Sequence, residues 1–247
     1  MSRIQTFAFY FLAIFLQASA YGLTFLLPRL FAAFEASEKV VGFMLVITAL
    51  TTIVTVYYSG HLSDMFGRLR TLGIACLAIS GSLYLYGAAQ VVSGGIALAS
   101  VLLGFGWGLT YSLGPIVLTR LVKPTERVQS FALLSVFVMA GFGLSPVLAY
   151  SLEWAGASVN DAFFITATAC LISAALFFLL HKPVKEHALN RAPETSSRIT
   201  LSTLSQVLRS RARAPIVMVF LGASVFAGLN NFQTVFADAR GLEYAIF

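Results

Sequence analysis

Few side chains in this sequence are equipped for covalent or acid–base chemistry, and those few are scattered. His61, His181 and His187 stand at the edges of apolar stretches or outside them. Cys76 and Cys170 sit singly inside separate apolar stretches, which points to neither a disulfide nor a metal site. An enzyme embedded in a membrane would need clustered His, Asp, Glu or Cys around a cavity, so no enzyme is expected, and no metal or other cofactor. No glycine-rich loop ending in Lys is present to hold a nucleotide's phosphates, which argues against a hydrolysis-driven pump. What remains is non-covalent chemistry from aromatic and amide groups set in apolar surroundings. Gln17 and Tyr21 are one helical turn apart, as are Trp107 and Tyr111, while Asn230, Asn231 and Gln233 form an amide cluster. Such groups either bind a ligand or join helices by hydrogen bonds, and the sequence leaves both readings open.

The elements that carry these groups follow from the spacing of charge. Charged residues make up 11% of the chain against roughly a quarter in a soluble domain, and mean hydropathy is +0.86. Charge-free runs lie between Arg3 and Arg29, Lys39 and Asp64, Arg70 and Arg120, Arg127 and Glu153, Asp161 and His181, and Arg213 and Asp238. A helix needs ~20 apolar residues to cross ~30 Å of hydrocarbon, so each run holds one crossing. The exception is 71–119, which is about twice as long as one span requires and divides at Gln90–Gly95. Seven spans are therefore predicted, at 7–29, 41–60, 71–89, 95–119, 129–151, 162–180 and 215–236. They must be helical, because lipid offers no partner to exposed backbone groups. The fold class is all-α, integral to a lipid bilayer.

Alternating loops sort the positive residues onto one side. Arg3, Arg68, Arg70, Arg120, Lys123, Arg127, Lys182, Lys185, Arg191, Arg198, Arg209, Arg211 and Arg213 share one face of the membrane, against Arg29, Lys39 and Arg240 on the other. The positive-inside rule then places the N-terminus in the cytoplasm, in a plasma membrane or a bacterial inner membrane. The net charge of +6 is an orientation signal spread over several loops, so no nucleic-acid partner is expected. Ala18-Ser19-Ala20 resembles a signal-peptide cleavage site, but the apolar run continues to Leu27, longer than a usual signal core, so an uncleaved span is expected.

Six spans form a first unit over 1–182. A basic linker follows at 183–213, with Leu201, Leu204 and Leu208 on one face of a possible surface helix over 200–211; a poorly ordered basic tether is the other reading. Residues 214–247 hold a seventh span. The odd count and the renewed apolar run from Gly241 lead to the expectation of a missing C-terminal bundle of the same chain beyond Phe247. Spans one and four share a pattern: Tyr21-Gly22-Leu23-Thr24-Phe25 before Pro28, and Trp107-Gly108-Leu109-Thr110-Tyr111 before Pro115. That is what an inverted repeat of three spans would leave behind, though a biased composition also produces such likeness by chance.

The most specific stretch is Gly60-His61-Leu62-Ser63-Asp64-Met65-Phe66-Gly67-Arg68-Leu69-Arg70, read as the loop between spans two and three. Gly60 permits close helix approach, and Asp64 is an acid suited to a facing helix N-terminus or a nearby Arg. Gly67 permits a tight turn, and Arg68 and Arg70 anchor to anionic headgroups or pair with Asp64. The stretch resembles the signature of the major facilitator superfamily. Pro124 and Arg127 resemble that family's pattern after span four. Gly141, Ser145 and Pro146 resemble, in altered form, the glycine–proline motif of its exporters, which pack helices. The resemblance implies a six-helix bundle of two inverted three-helix repeats plus the first helix of a second bundle. It implies that Gly60, Asp64, Gly67, Arg68 and Arg70 gate an outward-facing state by meeting that second bundle. It also implies that Gln17, Tyr21, Trp107, Tyr111, Asn230, Asn231 and Gln233 line a central cavity.

The expected function is a secondary transporter of a small organic solute working by alternating access, with efflux favoured. An uncoupled facilitator or uptake carrier is the alternative on the same fold, and a non-transporting membrane sensor the alternative of another class. In the family's drug–proton antiporters an arginine stands four residues before a glycine in span four. Aligned on Gly104, that position here is Ser100. No Asp, Glu, Lys, Arg or His lies in the core of any span, so a coupling proton would have to act elsewhere.

Overall fold

A computed structural model of the chain describes residues 2–187, 206, 209–210 and 213–241. The helices are α1 (Arg3–Gly22), α2 (Leu27–Ala33), α3 (Glu38–Phe66), α4 (Arg68–Ala88), α5 (Gly94–Leu121), α6 (Arg127–Trp154), α7 (Val159–Leu179), α8 (His181–His187) and α9 (Arg213–Ala239). Short 3-10 turns occupy Leu23–Leu26 and Pro124–Glu126, and there are no strands among the described residues. Six stretches are long and apolar enough to cross a membrane: Arg3–Ala33, Lys39–Phe66, Arg68–Ala88, Gly94–Leu121, Pro124–Trp154 and Val159–Leu179. These match the first six predicted spans and run further at most of their ends, the third and sixth stopping one residue short at their C-terminal ends. A 28-residue helix such as α5 rises about 42 Å, more than the hydrocarbon needs, so polar residues at its ends reach the headgroups.

The chain divides into two compact units, Met1–Ala192 and Pro193–Phe247. The first residues of the expected linker therefore belong with the bundle, as α8 packed on α1 and α7. In the second unit, α9 covers the seventh predicted span, and its described apolar stretch is Arg213–Val225. The expected surface helix over 200–211 lies, apart from Gln206 and Arg209–Ser210, outside the described residues.

Within the first unit α4 lies along α7 and α5, α3 along α5, and α1 along α6 and α7. Exchanging α1, α3 and α4 for α5, α6 and α7 carries this set of neighbours onto itself. Each half crosses the bilayer three times, so the second half enters inverted, as the sequence repeat implied. Small residues and hydroxyls make the contacts, because lipid supplies no hydrophobic drive between helices. Ser80 Oγ donates to Ala167 O at 2.9 Å, Ser173 Oγ to Ala13 O at 2.7 Å, and Ser82 Oγ to Ala99 O at 2.7 Å. Cys76 and Cys170 are both buried and free.

Two seams repeat the same device. On α5, Ser100, Gly104 and Gly108 are spaced by four and face α3. Thr48 Oγ1 donates to Ser100 O at 3.3 Å and Thr52 Oγ1 to Gly104 O at 3.2 Å. A Cβ placed on Gly108 would lie 2.9 Å from Thr52 O, and one on Gly104 would collide with Thr48 O. In the other half, Gly141 and Ser145 of α6 face α1. A Cβ on Gly141 would lie 2.8 Å from both Ala18 Cβ and Phe15 O, and one on Gly22 would lie 2.8 Å from Phe142 Cα. Ser145 Oγ donates to Ser19 O.

Candidate functional site: an aromatic cluster midway along the helices

Span one is not one continuous α-helix. It passes through the 3-10 turn at Leu23–Leu26, and Pro28 lies in the first turn of α2. Pro28 has no N–H to continue the α pattern, so the preceding turn tightens instead. Pro115 of α5, in contrast, sits inside an unbroken helix. The break follows directly on the repeat residues Tyr21 and Gly22.

At this level the two repeats meet through their rings. Tyr21 stacks on Trp107 with centroids 3.8 Å apart and planes 15° from parallel. Phe142 of α6 closes one side, 5.9 Å from Tyr21 and 5.6 Å from Trp107, and Phe25 meets Phe142 at 5.6 Å. Tyr111 lies 6.1 Å from Trp107 and is 62% exposed, so the cluster opens on that side. Tyr21, Trp107 and Phe142 each stand near the middle of their span. Gly22 and Gly108, directly after the stacked rings, are the residues that let α6 and α3 approach. Equivalent positions of the two repeats thus do equivalent work.

Gln17 is the polar member. It is 1% exposed, and its Nε2 has no hydrogen-bond partner among the described residues. An unpaired buried amide costs about 1–3 kcal/mol, and this one stands one helical turn before Tyr21 on α1.

Ionic groups stay at the helix ends. Arg29 Nη1 holds Glu153 at 3.0 and 3.2 Å, tying span one to α6 on the side opposite the N-terminus. Arg3 Nη2 donates to Leu121 O at 3.0 Å and lies 3.9 Å from Glu126. Among the described residues no group of His, Cys, Asp and Glu is placed to hold a metal ion.

The comparisons decide what kind of molecule this is. The family model described as Major Facilitator Superfamily matches residues 9–247. The chain belongs to the major facilitator superfamily. It is 25% identical over 213 residues to a probable 4-methylmuconolactone transporter of Cupriavidus pinatubonensis, covering 83% of this chain and 48% of that protein. Crystal structures of the peptide transporter POT in complex with sulfate share the fold with a TM-score of 0.55 at 17% identity. One, of a point mutant, matches 94% of this chain and 49% of the other; the second matches 93% and 48%. The chain spans about half the length of these relatives.

Several site expectations for this superfamily member change with the geometry. The stretch from Gly60 to Arg70 is not a loop, because α3 continues to Phe66 and α4 starts at Arg68. Gly67 alone makes the turn, at φ 85° and ψ 138°, and His181 Cε1 lies 3.5 Å from where its Cβ would be. The close approach expected at Gly60 is not made inside this bundle, since nothing described lies within 4 Å of a Cβ there. Gly60, Asp64 and Arg70 are exposed, and Asp64 forms no salt bridge among the described residues. Tyr21, Trp107 and Tyr111 come together around one level of the bundle and Gln17 is buried one turn before Tyr21 on α1, whereas the side chains of Asn230, Asn231 and Gln233 on α9 fall outside the described residues. Ser100 is a packing residue, its Oγ 2.8 Å from the Tyr86 hydroxyl. Sequence reasoning missed Phe142 as part of the cluster, and its only sequence signal was its place beside Gly141.

Proposed function

We propose that this chain carries one half, and a little more, of a secondary transporter that moves a small organic solute by alternating access, with efflux favoured over uptake. The observation that carries the reading is the pairing of two inverted three-helix repeats around a midway site of rings and one unpaired amide. Alternating access rocks such bundles about a site near the membrane midplane. The N-terminus is assigned to the cytoplasm on the arginine and lysine asymmetry. Gly60, Asp64, Gly67, Arg68 and Arg70 are proposed as the gate, and the exposure of Gly60, Asp64 and Arg70 supports their meeting a second bundle. Asn230, Asn231 and Gln233 are proposed as solute-contacting amides on α9. The lean to efflux rests on Gly141, Ser145 and Pro146, which resemble the exporter motif. A proton or sodium site is assigned to spans outside the seven in this sequence, with an uncoupled facilitator as the alternative, because none of the seven carries a charge in its core.

The relative's name suggests the size of solute: a lactone is a small ring bearing a carbonyl. The test is counterflow of labelled lactones and small organic acids into proteoliposomes containing the full-length protein. Saturable flux is expected, reduced roughly tenfold or more by Asp64→Asn or Gly60→Leu, a barrier change of about 1.4 kcal/mol. No flux above empty liposomes for any solute would favour the sensor reading.

A further inference from the structure

The register between α1 and α5 can be read from three contacts. Arg3 reaches Leu121, Tyr10 OH donates to Gly114 O at 2.6 Å, and Tyr21 stacks on Trp107. The two helices run in opposite directions, so each step forward on α1 is a step back on α5. Counted from Tyr10 and Gly114, Gln17 falls level with residue 107, and counted from Tyr21 and Trp107 it falls level with residue 111, so it lies between those levels of α5. Gln17 is one turn, ~6 Å, before Tyr21 along α1 and Tyr111 one turn after Trp107 along α5, both displaced toward the N-terminal end of α1.

From this juxtaposition we propose that the site selects flat, unsaturated ring solutes bearing a carbonyl or carboxylate oxygen. The solute's ring lies on the Trp107–Tyr111 side of the stack, and its oxygen accepts from Gln17 Nε2. Three observations converge on that class. The rings present faces: Trp107 and Tyr21 are near-parallel, and Tyr111, the exposed member, leaves their cytoplasmic side open. Gln17 offers a donor that nothing in the bundle uses. Counting back four residues from Trp107, the position equivalent to Gln17 is Leu103, 1% exposed, so the polar contact comes from one repeat alone and gives the solute one orientation. This deepens the transporter reading and rests on it for the site's purpose, but it concerns which solutes bind.

The test is binding to the full-length protein in nanodiscs, read by Trp107 emission in a Trp154→Phe background. Trp107 and Trp154 are the two tryptophans of residues 1–247, Trp154 is 86% exposed, and any tryptophan elsewhere in the full-length protein is also replaced by Phe. Benzoate and cyclohexanecarboxylate serve as probes, equal in charge and similar in size but flat and puckered respectively. Benzoate is expected to bind about three- to tenfold more tightly, the range a ring-stacking contact supplies. Gln17→Leu is expected to weaken benzoate binding about fivefold, the loss of one hydrogen bond, while raising the melting temperature because the unpaired amide is gone. Trp107→Phe keeps a ring in place and should retain the preference, read by equilibrium dialysis. Equal affinity for the two probes would overturn the proposal. So would a Gln17→Leu protein that binds benzoate unchanged, or one that is destabilised, since the amide would then have a structural partner. Benzoate binding without flux would sink the transporter reading alone, and flux with no flat-ring preference would sink this inference alone.

Discussion

A few side chains decide how the helices of this bundle meet. Gly104 and Gly141 lie where two backbones come together, and neither tolerates a Cβ without something shifting. Gly81 of α4 has room, its nearest neighbour Leu102 Cδ1 being 3.9 Å from a Cβ. Gly104→Ala is therefore expected to destabilise the protein by about 1–3 kcal/mol, the range for overpacking. Gly81→Ala should change stability by less than about 0.5 kcal/mol. Melting of the two purified variants side by side checks this, and equal melting temperatures would mean that the α3–α5 seam yields freely. Tyr21, Trp107 and Gln17 were legible in the sequence as unusual groups in apolar spans. The stack between Tyr21 and Trp107 was not, because it depends on bringing residues 86 positions apart in chain order to one level. Gly104 and Gly108 appeared in the sequence as an alignment point and a repeat residue. Their role against Thr48 and Thr52 shows only once α3 is laid beside α5.

At the scale of elements, spacing between charges located the six helices but misjudged where they end. A charged residue need not end a helix: α3 carries Asp64 out of the hydrocarbon without unwinding. The turn to α4 is thereby reduced to Gly67. Its φ of 85° and ψ of 138° belong to a region that side chains with a Cβ rarely occupy, at a cost of about 1–3 kcal/mol. Gly67→Ala should destabilise the protein by that amount and so lower its melting temperature, although the nearest atom, His181 Cε1, leaves ordinary van der Waals room. Circular dichroism melting measures the loss; an unchanged melting temperature would show that the turn relaxes to another conformation. The 3-10 turn in span one was equally hidden. Pro28 and Pro115 look alike in the sequence, yet of the two only Pro28 follows a break.

The whole bundle is organised by its internal exchange symmetry, which gives spans one and four matching positions on either side of the Tyr21–Trp107 stack. Repetition was readable as aromatic-Gly-Leu-Thr-aromatic in both spans, and its physical meaning lies in Gly22 and Gly108 each admitting a neighbouring helix. If the account of alternating access is right, the level of this stack must open to each side of the membrane in turn. Tyr111 is the position to probe, being exposed and one turn from the stack. The most direct measurement is labelling of Tyr111→Cys, with Cys76 and Cys170 replaced by Ser, by a membrane-impermeant thiol reagent in right-side-out and in inverted vesicles. The account predicts labelling from both sides, with solute shifting reactivity from one side to the other. Labelling from one side only, with or without solute, or from neither, would contradict it.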